Sequence, residues 1–158
     1  MITFNADEIF EMAEQIERNG AKFYRKAAEP ADGGCRKLLL RLAAMEDDHE
    51  KTFAEMRRNL SDAEKRPITA DPDNEGALYL QAMADGKVFE ADPAGQLSGQ
   101  EPIEDILQTA IGLEKDSVVF YNGMKDVVAA GKEKIDAIIK QELGHILDLT
   151  KQLKAAKK

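Results

Sequence analysis

The chain has 158 residues, of which 43% are hydrophobic and 33% are charged, and its formal net charge is −8 at pH 7. This length fits a single domain over residues 1–158 with a substantial core, and the negative charge disfavours nucleic acid or an anionic membrane as the main partner. No apolar run approaches the roughly 20 residues of a membrane span, and the N-terminus lacks an export-signal pattern, so we expect a cytoplasmic protein.

The first two predicted elements are long helices. Alanine, leucine, glutamate and lysine dominate the long segments, which favours helix over sheet. The first helix covers about residues 5–29. Asn5 and Glu8 form a capping-box pattern at its start, and the stretch "PADGG" ends it. The second helix covers about residues 35–60.

A long connection, about residues 61–101, separates the second helix from the third. It is polar and contains prolines, apart from "ALYLQAMADGKVF", which predicts a short helix to which we assign no chemistry. The last two helices cover about residues 102–130 and 132–157, and Pro102 suits the first turn of a helix. Two short-looped helix pairs joined by one long crossover predict an all-α, ferritin-like four-helix bundle.

The two helix pairs resemble each other in sequence. "MAEQIERNGAKFY" (12–24) aligns without gaps to "TAIGLEKDSVVFY" (109–121), which pairs Glu17 with Glu114. In the second helix of each pair, a glutamate and a histidine also occupy equivalent positions. This repeat predicts a bundle with a pseudo-two-fold axis, in which the equivalent residues meet at the centre.

Polar residues interrupt the apolar face of all four long helices. The neighbours that share a helical face with each glutamate are mostly apolar, and two of the glutamates have a histidine one turn later. Burying an unpaired carboxylate costs on the order of several kcal/mol, out of about 5–15 kcal/mol for a whole domain. Two divalent cations would balance four carboxylates and leave two neutral imidazoles as further ligands. The candidate ligands are Glu17, Glu46, His49, Glu114, Glu142 and His145.

Other interpretations of these residues stay open. A single Glu-x-x-His on a helix is most often a solvated face, and four inward glutamates can also be protonated or ion-paired in a purely structural bundle. The complete set matches the di-metal carboxylate pattern on a four-helix bundle. Oxygen-rich ligation with two imidazoles suits iron, manganese or, less selectively, zinc.

Four stretches, "IERNGAKFY", "MEDDHEKTF", "LEKDSVVFY" and "QELGH", resemble the helix motifs of the rubrerythrin branch of the ferritin-like di-iron proteins. The resemblance implies that the four glutamates supply carboxylates to two iron ions, with Glu46 and Glu142 bridging them. It also implies that His49 and His145 each cap one metal ion. Reduction of hydrogen peroxide at a di-iron centre and a homodimer are further expectations from this resemblance.

The sequence departs from that family pattern at two points. Complete rubrerythrins add a rubredoxin module with two Cys-x-x-Cys pairs, whereas this chain has Cys35 alone. We therefore expect a separate electron donor. Rubrerythrins also carry an additional glutamate one turn after the third-helix ligand, where this chain has Ser117, so metal movement of the peroxidase type is in question.

Three functions are compatible with these residues. The first is a non-haem di-iron redox protein that reacts with hydrogen peroxide or dioxygen in oxidative-stress defence. The second is a ferritin-like protein that oxidises or sequesters iron without turnover, and the third is a structural bundle. Tyr24 and Tyr121, two turns after Glu17 and Glu114, are either hydrogen-bond partners of a ligand or oxidant, or core aromatics. Asp116 and Asp148 either orient a ligand imidazole or lie on the surface.

Overall fold

The computed structural model describes residues 4–67, 75, 78, 80, 82 and 92–158. Within these residues the chain forms four long helices and no strand. They are α1 (Ala6–Ala28), α2 (Gly33–Arg58), α3 (Ile103–Val127) and α4 (Lys132–Ala156). The predicted all-α bundle is confirmed. The short helix predicted in the crossover falls largely outside the described residues.

The ends of the helices follow local backbone chemistry. At the start of α1, Asn5 Oδ1 accepts a hydrogen bond from the Glu8 N–H at 2.9 Å, and Glu8 Oε2 accepts one from the Asn5 N–H at 2.9 Å, as the capping box predicts. The third helix is shorter than predicted and ends at Val127. Gly131 precedes α4 with a φ of +80°, a left-handed conformation that favours glycine.

The helices pack as two hairpins, α1 with α2 and α3 with α4, and the hairpins meet where α1 faces α3 and α2 faces α4. Tyr24 contacts Glu114 while Tyr121 contacts Glu17, so α1 and α3 run antiparallel. An approximate two-fold axis therefore relates the two hairpins, as the internal sequence repeat predicted.

Two apolar clusters fill the bundle at either side of its middle. Phe10, Phe53 and Ile135 belong to one cluster, and Phe23, Leu42, Leu107, Leu149 and their neighbours form the other. Burial of these side chains is the main source of stability. On every helix, the candidate metal ligands, which are glutamates and histidines, lie between the two clusters. Among the described residues, no helix has the length and apolarity that a bilayer crossing requires.

Candidate metal centre

All six candidate ligands lie inside the bundle, at the level between the two apolar clusters. Their exposed fractions range from 0% to 4%. The positions follow from helical periodicity, because residues three or four apart share the inward face. The members are Glu17 on α1, Glu46 and His49 on α2, Glu114 on α3, and Glu142 and His145 on α4.

The six residues form two overlapping groups of four. In each group, one ligand atom from every residue lies within 4.8 Å of the others. Both groups contain Glu46 and Glu142, which therefore lie between them. Glu17 and His49 complete the first group, and Glu114 and His145 complete the second.

The two imidazoles point the same ring nitrogen at the carboxylates. His49 Nδ1 lies 2.7 Å from Glu142 Oε1 and 3.3 Å from Glu17 Oε2. His145 Nδ1 lies 3.2 Å from Glu46 Oε1 and 3.3 Å from Glu114 Oε1. The rings are stacked with their centroids 5.7 Å apart and an interplanar angle of 18°. This arrangement leaves both Nδ1 atoms directed at the centre of the cluster.

The cluster strongly attracts positive charge. Burial raises the pKa of Glu17 well above its ordinary value, and repulsion from Glu46 adds to the rise. Burial likewise raises the pKa of Glu114. For His145, burial opposes protonation, but close contacts with three of the glutamates outweigh it and raise the imidazole pKa to about 12. Without a cation, protons therefore take the place that positive metal charge would occupy.

The donor set fits a pair of metal ions. Several buried atoms of the cluster have no partner in hydrogen-bond geometry among the described residues, although they approach one another closely. These atoms are Glu17 Oε2, Glu46 Oε1, both carboxylate oxygens of Glu142, and Nδ1 of both histidines. Buried polar atoms are nearly always paired, and here the unpaired lone pairs converge from four helices. Carboxylates and imidazoles in this ratio are suitable ligands for iron or manganese.

Two tyrosines contact the carboxylate cluster, and each bonds a glutamate of the other hairpin. The Tyr24 hydroxyl donates a hydrogen bond to Glu114 Oε1, and the Tyr121 hydroxyl donates one to Glu17 Oε1. Both rings are buried. Their rings are therefore part of the core, as one interpretation of the sequence proposed. Their hydroxyls are hydrogen-bond partners of two candidate ligands, as the other interpretation proposed.

A residue that the sequence did not single out contacts one imidazole. Gln141 Oε1 lies 2.6 Å from His49 Nε2. The two aspartates that the sequence offered as possible partners of an imidazole lie elsewhere. Asp148 accepts a hydrogen bond from Arg41 at 2.7 Å, and Asp116 is exposed. The only indication of the contact with His49 in the sequence is that Gln141 directly precedes the candidate ligand Glu142, on the helix that faces α2.

Ser117 is buried, and its hydroxyl donates a hydrogen bond to the Leu113 carbonyl at 3.0 Å.

Comparisons with known proteins agree with this fold. A family model described as Rubrerythrin matches residues 8–91. A solved structure from Thermotoga maritima, provisionally assigned as a ferritin-like diiron-carboxylate protein, is similar over 98% of this chain and 97% of its own. Its TM-score is 0.72 at 23% identity, which supports the fold. No curated protein matches the chain. The family match covers more than half of the chain, and the protein therefore belongs to the rubrerythrin family.

Proposed function

We propose that the protein is a non-haem di-iron redox protein that reacts with hydrogen peroxide or dioxygen and takes electrons from a separate donor. The observation that carries this proposal is the pair of overlapping donor groups with Glu46 and Glu142 in common. Because the two groups share these carboxylates, the two candidate ion positions lie side by side, whereas a single-ion site would use one group only.

Each residue has a definite role in this assignment. Glu17 and His49 would hold one ion, Glu114 and His145 would hold the other, and Glu46 and Glu142 would contribute a carboxylate to both positions. Four carboxylates against two divalent ions leave no net charge in the bundle interior, which removes the repulsion between the glutamates. Manganese or zinc would also fit these ligands.

The surrounding side chains orient the ligands and exclude water. The hydroxyls of Tyr24 and Tyr121 each hold one oxygen of a terminal glutamate, and at Glu17 the other oxygen, Oε2, faces His49 Nδ1 at 3.3 Å. The apolar clusters on both sides limit access of bulk water to the centre. When bound, a ferrous pair supplies two electrons for the reductive cleavage of an O–O bond.

The cysteine content of this chain supports the proposal of a separate electron donor. The sequence contains one cysteine, Cys35, which is buried. A four-cysteine iron site cannot be assembled from these residues, and we propose that reducing equivalents come from another protein or a small molecule. We propose a cytoplasmic homodimer, as in the family resemblance. Exposed Leu143 and Leu147, one turn apart on α4, are candidate dimer contacts.

One observation favours a second candidate function, oxidation and sequestration of iron without turnover. Ser117 occupies the position where rubrerythrins have an additional carboxylate, and its hydroxyl is bonded to the Leu113 carbonyl. It therefore offers no carboxylate to a moving metal ion. A centre of fixed ligands is compatible with a ferritin-like role.

Stopped-flow oxidation of the anaerobically loaded ferrous protein tests the proposal. We expect two iron ions per chain, faster oxidation by hydrogen peroxide than by dioxygen, and repeated turnover with a chemical reductant. Glu46→Ala is the matched control, because it removes a shared ligand, and it should abolish the reaction. Accumulation of many ferric ions per chain would instead support sequestration. A stable protein that binds no iron would contradict both functions.

A further inference from the structure

The two halves of the centre differ in one contact. His49 Nε2 lies 2.6 Å from the side-chain oxygen of Gln141. His145 Nε2 is buried and has no hydrogen-bond partner among the described residues. The sequence repeat explains the difference: Gln141 directly precedes Glu142, whereas the equivalent residue before Glu46 is Met45. A thioether is only a weak acceptor and cannot take the place of the amide oxygen.

This contact bears directly on how His49 can bind metal. A neutral imidazole that ligates through Nδ1 must carry its proton on Nε2. The Gln141 oxygen only accepts hydrogen bonds, so it selects that tautomer and fixes the rotation of the ring. His145 Nδ1 also points toward the carboxylates, but within the part of the chain that the structure describes its Nε2 has no hydrogen-bond partner that would hold the ring.

We propose that Gln141 is a positioning residue that makes the two metal positions unequal. The position formed by Glu17 and His49 binds the first ion, and the position formed by Glu114 and His145 binds the second ion more weakly and loses it first. This inference rests on the proposed di-metal function. Partners of ligating histidines typically change metal affinity by about 10-fold to 100-fold, so we expect a difference of about 10-fold between the two positions.

Zinc titration followed by nitrogen NMR tests this order of binding. The chain contains two histidines, so ¹⁵N-labelled protein gives one set of ring signals for each, and a His145→Ala variant assigns them. Ring-nitrogen shifts distinguish a protonated nitrogen from one bound to zinc. In the unsubstituted protein, most of the change in the His49 signals should occur during the first equivalent of zinc, and most of the change in the His145 signals during the second.

Three variants separate positioning from general stability. Gln141 is exposed, so its replacement leaves the core intact. Gln141→Met should make both imidazoles bind zinc together, with a loss of about 10-fold in affinity at His49. Gln141→Glu keeps an acceptor oxygen and should preserve the order. Met45→Gln supplies the missing acceptor on α2 and should tighten binding at His145.

The outcomes distinguish this inference from the proposed function. Simultaneous binding at both histidines in the unsubstituted protein, or an unchanged order in Gln141→Met, would overturn the inference and leave the di-metal function standing. A protein that binds no zinc at either histidine would overturn both. Early binding at His49 that depends on Gln141 would support both.

Discussion

Tyr121 donates a hydrogen bond from its hydroxyl to Oε1 of Glu17, which lies on the facing helix of the other hairpin. Tyr24 makes the same contact with Glu114. The helices α1 and α3 therefore each contribute one donor and one acceptor, and the two contacts are reciprocal. They link the hairpins where the buried carboxylates need polar partners, so one pair of bonds supports both the fold and the candidate metal centre.

We expect Tyr121→Phe to weaken both the fold and metal binding. Burial and the nearby Glu17 carboxylate raise the pKa of the Tyr121 hydroxyl well above its ordinary value, so it remains a donor at neutral pH. Removing it leaves Glu17 Oε1 without its donor, which should lower the free energy of unfolding by about 1–3 kcal/mol. Urea unfolding of the metal-free protein measures this loss.

A matched control for that variant is Tyr24→Phe, since it removes the equivalent bond on the other side. Zinc affinity should fall at the Glu17 position in Tyr121→Phe and at the Glu114 position in Tyr24→Phe, each by about 10-fold or more. Equal effects of both variants at both positions would show that the tyrosines act through general packing instead.

Shared and terminal ligands should differ in how many ions their loss removes. Glu142 belongs to both donor groups, whereas Glu114 belongs to one. We expect Glu142→Ala to lose both ions, because each position then lacks a carboxylate. Glu114→Ala should keep the ion at Glu17 and His49. Elemental analysis after anaerobic loading with ferrous iron measures the stoichiometry. Equal iron content in the two variants would contradict the bridging assignment.

The metal-free protein should lose stability as the pH rises above about 6.5. The imidazole pKa of His145 is raised from 6.5 to about 12 in the fold, despite the opposing effect of burial. Between these values the folded state holds a proton that the unfolded state has released, so the free energy of unfolding falls with increasing pH. The raised pKa values of Glu17 and Glu114 act in the same direction.

Urea unfolding at slightly acidic and moderately alkaline pH checks this dependence. The zinc-loaded protein is the control, because metal charge replaces the protons and its ligands are already deprotonated. Its stability should not fall over the same range. A metal-free protein whose stability is constant or increases above neutral pH would contradict the electrostatic description of the cluster.

Helical periodicity explains why the bundle and its inward residues were predictable. Once Glu46 and His49 were placed one turn apart on an apolar face, their burial followed from the helix alone. The contact of Gln141 with His49 was not predictable, because Gln141 occupies an exposed position and its partner lies on another helix. Such a contact depends on the axial offset between α2 and α4, which no local pattern in the sequence specifies.

Gly20 is a position where a small side chain should improve stability without affecting the centre. It lies on α1 against Glu46, and an added Cβ would be 3.4 Å from Glu46 Cγ and 3.5 Å from Cδ. These are van der Waals distances, so alanine fits. Gly20→Ala should raise the free energy of unfolding by about 0.5–1 kcal/mol, because glycine is unfavourable inside a helix. Urea unfolding and zinc stoichiometry measure both properties.

A longer side chain at Gly20 should have the opposite effect on metal binding. The atoms nearest to the new Cβ are Cγ, Cδ and Oε2 of Glu46, so the branches of a leucine would take the space of that carboxylate. Because Glu46 belongs to both donor groups, Gly20→Leu should lose both zinc ions. Gly112→Leu on α3 is the matched control, since an added Cβ there meets nothing within 4 Å. It should bind two ions, and a Gly20→Leu protein that also binds two would show that Glu46 is not held in place by the space at Gly20.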